Sequence, residues 1–383
     1  MNNAKRIPGR RYSPLKSGKH IGVISPCYGL EKVSYGIEPG GYEFCKVDEI
    51  PLKKIFKGDY YKNCPYLVPN TASLIHTFNK IPLSNHNFIM SFEMEIPRLF
   101  DVVSGDKYKK ACDVLASDRC KGLYSLSEIA AKQAIDKFSK SGYSEIGQKI
   151  SVFRGSVDFF DASRFDQSEG EKIKLLFIGN DIVRKGLIAA CRAVEKLNKV
   201  NDIYTLDIIS NLSTKSYVNF DDQYVQTELE YIRKLDFVNF LGKVPNEQVR
   251  RKLSESDLLL FPSIDESLGW VVIEAGLSAT PSLALNMFAI NELVDEKTGF
   301  IIDIETDENH RWIHLSDDFL GDKYSELQNN LAEAIFRRLN AVGSKRDILM
   351  LGLEAKRKMK ELYGLSKAKN NLREIYKRAI SNA

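Results

Sequence analysis

The sequence predicts an α/β protein built from two parallel-sheet domains. Three observations predict it. Between Lys174 and Ile302, short apolar runs alternate with helical patterns across tight turns, the pattern of a parallel sheet covered on both faces. At 383 residues the chain has room for two ordinary domains, each with its own core. A polar, charged and aperiodic stretch from Ser156 to Lys172 divides the two halves. The expected layout is a first domain over 1–157, a linker over 158–172 and a second domain over 173–365.

The second half is the more regular one. Lys174–Ile178 reads as a strand ending at Gly179, and a helical pattern runs from Leu187 to Leu197. Tyr204–Ile209 and Phe237–Leu241 are the next strands, the latter followed by Gly242 and a helix over Asn246–Ser254. Asp257–Phe261, Pro281–Leu285 and Gly299–Ile302 complete the set. After Gly343 the chain is helical and basic. In the first half, Ser73–Phe78, Asn87–Phe92, Gly122–Ser125 and Lys149–Phe153 are the strand candidates, with helices near 105–115 and 127–140. The first 60 residues match none of the usual strand signals.

Composition narrows the classes. The apolar share (43%) and charged share (28%) are those of a soluble globular chain. A net charge of +4 gives no argument for nucleic acid. Its distribution is uneven: Lys5, Arg6, Arg10, Arg11, Lys16 and Lys19 precede the first acid, Glu31. Residues 1–30 therefore read either as a solvated tail or as an arm toward an anionic membrane surface. Six scattered cysteines form no Cys-x-x-Cys or Cys/His cluster, so no metal site is expected. No run approaches the ~18 apolar residues that span a bilayer, and no signal-peptide core stands at the start, so the expectation is a cytoplasmic protein, with a peripheral membrane contact left open.

Two motifs carry chemistry. In Phe261–Pro281 an apolar strand leads to an acidic turn, a glycine and a second acid at the head of a helical segment closed by Pro281, with Glu266 and Glu274 eight positions apart. The amides of Ser267, Leu268 and Gly269 are placed to form a nest for phosphate or sugar oxygens. In Phe177–Gly186 a strand ends at Gly179, and Lys185-Gly186 is read as opening a helix. Helix N-termini hold phosphate, and a lysine there opposes the helix dipole, which argues for a functional cation.

These motifs resemble the donor-sugar site of retaining glycosyltransferases with the GT-B fold, particularly the family-four group, also called glycosyltransferases group 1. The resemblance covers residues 120–305 by motif and the rest by architecture. It implies two Rossmann-like domains facing a cleft, with a last helix (366–383) packing back onto the first domain. It implies that Glu266 meets the transferred sugar, that Glu274 holds the ribose hydroxyls and that Lys185 stabilises the leaving diphosphate. A carboxylate suits two neighbouring hydroxyls because it accepts from both. Gly242, Lys243 and Val244 stand where the family reads the base. The arginine that usually follows the first glycine is Asn180 here, and Arg184 is the candidate to replace its charge. The first-domain matches are weaker: Phe153–Asp158, Ser125–Glu128 and Phe88–Glu93, where Glu93 replaces a histidine common in the family. His76, Glu93 and Arg98 are the candidates for the acceptor or cleft.

The implied function is transfer from a nucleotide-sugar donor to a glycan or lipid-linked acceptor, with no cofactor and no metal. It would serve surface polysaccharide or glycolipid assembly. A sugar-nucleotide epimerase and a non-catalytic scaffold of the same fold are the alternatives. No Asp-x-Asp, P-loop or Gly-x-Ser-x-Gly elbow points elsewhere.

Overall fold

The computed structural model describes residues 19–24, 33–100, 104–157, 172–317, 320–342 and 344–381. It divides into two compact units: unit 1 is Met1–Asp158 with Tyr363–Ala383, and unit 2 is Phe159–Leu362. The basic arm at 1–18 and the expected linker, apart from Lys172, lie outside the described residues.

Unit 1 holds a six-stranded parallel sheet in the order β2-β1-β3-β4-β5-β6. Its strands are β1 (Lys19–Val23), β2 (Tyr42–Lys46), β3 (Leu74–Phe78), β4 (Phe88–Phe92), β5 (Cys120–Ser125) and β6 (Ile150–Val152). β3 and β4 are buried along their whole length, which is why they read as unbroken apolar runs. β1 and β2 escaped the sequence reading for a physical reason. β2 lies at the sheet edge with half-exposed polar side chains, and β1 is a short strand whose apolar run is interrupted in sequence by Gly22. Ser127 caps the helix Glu128–Lys140 by accepting from the Ala130 amide at 3.3 Å. The terminal helix Leu365–Ser381 belongs to this unit and buries Leu372, Ile375, Tyr376 and Ala379.

Unit 2 holds a second six-stranded parallel sheet, ordered β12-β11-β10-β7-β8-β9. Its strands are β7 (Ile173–Ile178), β8 (Tyr204–Ile209), β9 (Val238–Phe240), β10 (Leu258–Phe261), β11 (Ser282–Leu285) and β12 (Gly299–Ile302). The chain lays β7 at the centre, builds outward through β8 and β9, then returns to place β10 on the other side of β7. The strand order reverses between β7 and β10, and in open parallel sheets that crevice, at the strand carboxyl ends, is where ligands bind. The helix Asp222–Ile232 was missed, although Val225, Leu229 and Ile232 form a buried stripe behind the Asp221 cap.

Candidate active site

The site is built from the two loops flanking the switch point. The loop after β7 is not a plain turn into a helix. Asp181 caps a single helical turn, Ile182–Lys185, its carboxylate accepting from the Arg184 amide at 3.1 Å. Gly186 then ends this turn and starts the helix Leu187–Val200. Lys185 therefore stands in the last turn of one helix, where a cation is favoured, and not at a helix start. It thus does not oppose a helix dipole, in contrast to the expectation from the sequence. What singles it out is burial: only 15% of its side chain is exposed.

Two glycines make room for this arrangement. A Cβ at Gly179 would lie 2.7 Å from Lys185 Cγ, so the lysine stem occupies the space that sequence reasoning left for a ligand. A Cβ at Gly186 would meet the Pro262 carbonyl at 2.3 Å, and its φ of +71° also excludes most side chains. The β7 and β10 loops are thereby pressed together, and the Ile264 amide donates to the Arg184 carbonyl at 2.8 Å.

Across that seam Lys185 Nζ forms a direct ion pair with Glu266. Arg184 Nη1 lies 3.4 Å from the same carboxylate and also donates to the Asp265 carbonyl. Ser263 Oγ donates to Glu266 Oε1 at 3.2 Å. Lys185 Nζ sits 5.0 Å from the Phe261 ring centroid. Burial and neighbouring Arg184 push Lys185 down to about 7, while Asp181 and Asp265 pull it up. Contact with the Glu266 carboxylate favours the charged form as well.

Other predicted residues fall nearby or elsewhere. Asn180 is exposed and its side chain accepts from the Asn211 amide at 3.3 Å, so it carries no charge into the site. Ser267, Leu268 and Gly269 lead into the helix Trp270–Leu277, with Leu268 1% exposed. Glu274 lies on the second turn of that helix and not at its head, and the helix ends at Leu277, before Pro281. Burial raises the Glu274 carboxyl above its ordinary value, opposed by Arg250. Gly242, Lys243 and Val244 follow β9 on the same carboxyl edge of the sheet, Gly242 with φ +68°.

Sequence reasoning passed over Asp181, Asp265 and Tyr217. Tyr217 hydrogen-bonds Asp265, and the Arg184 guanidinium carbon lies 5.9 Å from its ring centroid. Asp181 had a legible signal, an N-cap three residues before Arg184. Tyr217 comes from a polar loop with no periodicity and had none.

The first-half candidates behave differently. His76 is fully buried on β3, its Nδ1 2.8 Å from Tyr376 Oη and its Nε2 2.9 Å from Ser91 Oγ. Desolvation pushes it down to about 3. With no open surface and both nitrogens engaged it is a structural hub and not the acceptor contact expected from the sequence. Glu93 is 7% exposed and pairs with Arg98, while Asn79 donates to it at 3.3 Å. No group of three or more His, Cys, Asp or Glu among the described residues is placed to hold a metal ion. No helix among them is long and apolar enough to cross a membrane.

Residues 159–338, which contain every element of this site, match the family model of glycosyl transferases group 1. Over those residues, just under half of the chain, it is similar to that family. An uncharacterized 41.2 kDa protein in the cps region of Klebsiella pneumoniae is 26% identical to this chain over 203 residues, covering 52% of it and 46% of the relative. The O-antigen chain mannosyltransferase RfbU of Salmonella typhimurium is 28% identical over 195 residues, covering 51% and 49%. The chain thus spans about half the length of the curated relatives it matches. A solved glycosyltransferase from Rickettsia africae ESF-5 shares 14% identity at a TM-score of 0.64, covering 96% of this chain and 100% of that one. That likeness gives the fold, two six-stranded parallel-sheet units of the GT-B kind.

Proposed function

We propose that this chain transfers a sugar from a nucleotide-sugar donor to an acceptor hydroxyl, with retention of anomeric configuration and without a metal, in surface polysaccharide or glycolipid assembly. The observation that carries the reading is the Lys185–Glu266 pair at the switch point of unit 2. The donor diphosphate takes over Lys185 from Glu266, which frees the Glu266 carboxylate to accept from sugar hydroxyls. Arg184 and the N-terminus of the helix Trp270–Leu277 add to the positive field, Glu274 holds the ribose, and Gly242–Val244 line the base. The acceptor oxygen bonds to the anomeric carbon as the bond to the phosphate oxygen breaks, and that phosphate oxygen takes the acceptor proton. The protein orients the partners and offsets the leaving charge. The O-antigen and cps-region relatives support the polysaccharide setting.

Glu266→Ala tests the reading. It should not weaken nucleoside diphosphate binding, which gains a Lys185 already released from Glu266, and it should lower transfer by ~10²-fold or more, because the Glu266 contact tightens as the sugar flattens. Donor turnover and calorimetry measure the two effects. A fully active variant, or a product with inverted configuration by NMR, overturns the assignment.

A further inference from the structure

We propose that unit 1 carries an interfacial docking surface for an anionic lipid bilayer, formed by the segment Ile50–Lys62, Phe100 and the lysines of the helix Asp106–Ala116. The observation is a concentration of exposed apolar groups. Among the described residues, five of thirteen exposed large hydrophobic side chains lie here: Ile50, Ile55, Phe56, Val68 and Phe100, with Ile55 73% and Phe100 59% exposed. A soluble surface scatters such groups singly, and a contiguous cluster marks a contact.

Their contacts gather them in two sets, Phe56 and Phe100 about the turn Asp59–Asn63, and Ile50 and Val68 about the bridge between Glu49 and Leu67. Phe56 stacks on Tyr61 with ring centroids 4.9 Å apart. The Phe100 amide donates to Asp59 at 3.2 Å, which holds Phe100 beside the helical turn Asp59–Asn63. The Ile50 amide donates to the Tyr66 carbonyl at 2.8 Å, and the Val68 amide to the Asp48 carbonyl at 2.9 Å. The 3-10 turn Leu52–Lys54 buries none of its residues, so it contributes nothing to the core.

Charge identifies the occupant. Lys54, Lys57, Lys62, Lys107, Lys109 and Lys110 are all exposed around the apolar cluster. Lys107 Nζ lies 4.7 Å from the Tyr61 ring centroid, and Lys110 donates to Tyr66 Oη at 3.1 Å. The nearby acids are largely engaged: Glu49 pairs with Lys53 and Lys80, Asp59 accepts from Phe100, and the exposed Asp113 accepts from Tyr143 Oη at 3.2 Å, with Asp106 a second exposed carboxylate on the same helix. Apolar tips surrounded by lysines suit a bilayer interface, where rings and aliphatic groups enter the acyl boundary and ammonium groups meet anionic headgroups. A self-associated dimer through this patch would instead bring the same lysines together.

The test uses the full chain and a chain lacking residues 1–18, so that the basic arm is scored separately. Both should co-sediment with phosphatidylglycerol-containing vesicles and only weakly with phosphatidylcholine alone. Ile55→Glu with Phe56→Glu should lower the vesicle partition by roughly tenfold or more. Lys54→Glu with Lys57→Glu should lower it by about fivefold per cation at low salt and less as salt rises. Phe56→Trp should show a blue-shifted emission quenched by brominated lipids. Because these side chains are exposed, the thermal midpoint should stay unchanged. Wild-type-like vesicle binding by the Ile55/Phe56 variant overturns the proposal. So does a wild-type dimer that the variant dissolves, which would make the patch a protein interface.

Discussion

At the centre of the unit 1 sheet, His76 is enclosed completely, held by Tyr376 and by the hydroxyls of Ser34 and Ser91. At the centre of the unit 2 sheet, Lys185 and Glu266 pair at a strand carboxyl end and keep 15% and 12% of their side chains open. Both units are six-stranded parallel sheets, so architecture does not explain the contrast. A neutral polar group can be satisfied once by internal partners and left there. A charge pair at an open strand end can exchange one protein partner for a ligand. The first arrangement serves the fold, and the second is the one we propose for binding.

The largest way to sharpen this contrast is Lys185→Ala. Glu266 would keep Arg184 at 3.4 Å and Ser263 at 3.2 Å, so the fold should lose little. Transfer should fall by ~10²–10³-fold as the cation beside the leaving diphosphate is lost. Turnover measured in EDTA alongside the melting midpoint separates the two effects. Wild-type activity that vanishes in EDTA and returns with manganese would break the assignment of Lys185 in place of a metal.

The mirror experiment is His76→Ala, which should do the reverse. Leaving buried hydroxyls of Ser34, Ser91 and Tyr376 short of a partner should cost ~1–3 kcal/mol of stability and leave nucleotide affinity unchanged. Acid adds a second readout. Burial depresses His76 to about 3 against an ordinary 6.5, so its stabilising share is complete above pH 6.5. That share is lost as pH falls from 6.5 toward 3. Denaturant midpoints over this window should fall less steeply in His76→Ala than in the wild type, and equal slopes would remove the histidine from the account.

The contrast also explains what the sequence made legible. Buried strands such as Leu258–Phe261 and Leu74–Phe78 announce themselves because parallel strands covered on both faces must be apolar. Glu266, Glu274 and Lys185 stood out through their glycine and strand setting. The one-turn helix Ile182–Lys185 did not, since four residues carry no periodicity and only the Asp181 cap betrays it. His76 was misjudged because its partners come from far along the chain, Tyr376 being 300 residues away. Edge strand β2 was missed because exposed polar residues interrupt the apolar signal.

The smallest effect reads the state of Lys185 itself. Burial and Arg184 push it down to about 7, so above neutrality part of the empty sites hold it uncharged. A diphosphate placed beside it favours the charged form, and binding must then take up a fraction of a proton. At pH 8 the free diphosphate is already fully ionised and contributes little. Burial raises the Glu274 carboxyl above its ordinary value, and Glu274→Gln removes its proton exchange from the measurement. Calorimetry of nucleoside diphosphate binding at pH 8, in two buffers of different ionisation enthalpy, should therefore differ in apparent heat for the wild type and for Glu274→Gln. In Lys185→Met the difference should vanish. Identical heats in both buffers for the wild type would mean that Glu266 keeps the lysine charged throughout, and the burial of Lys185 would then carry no proton linkage to the ligand.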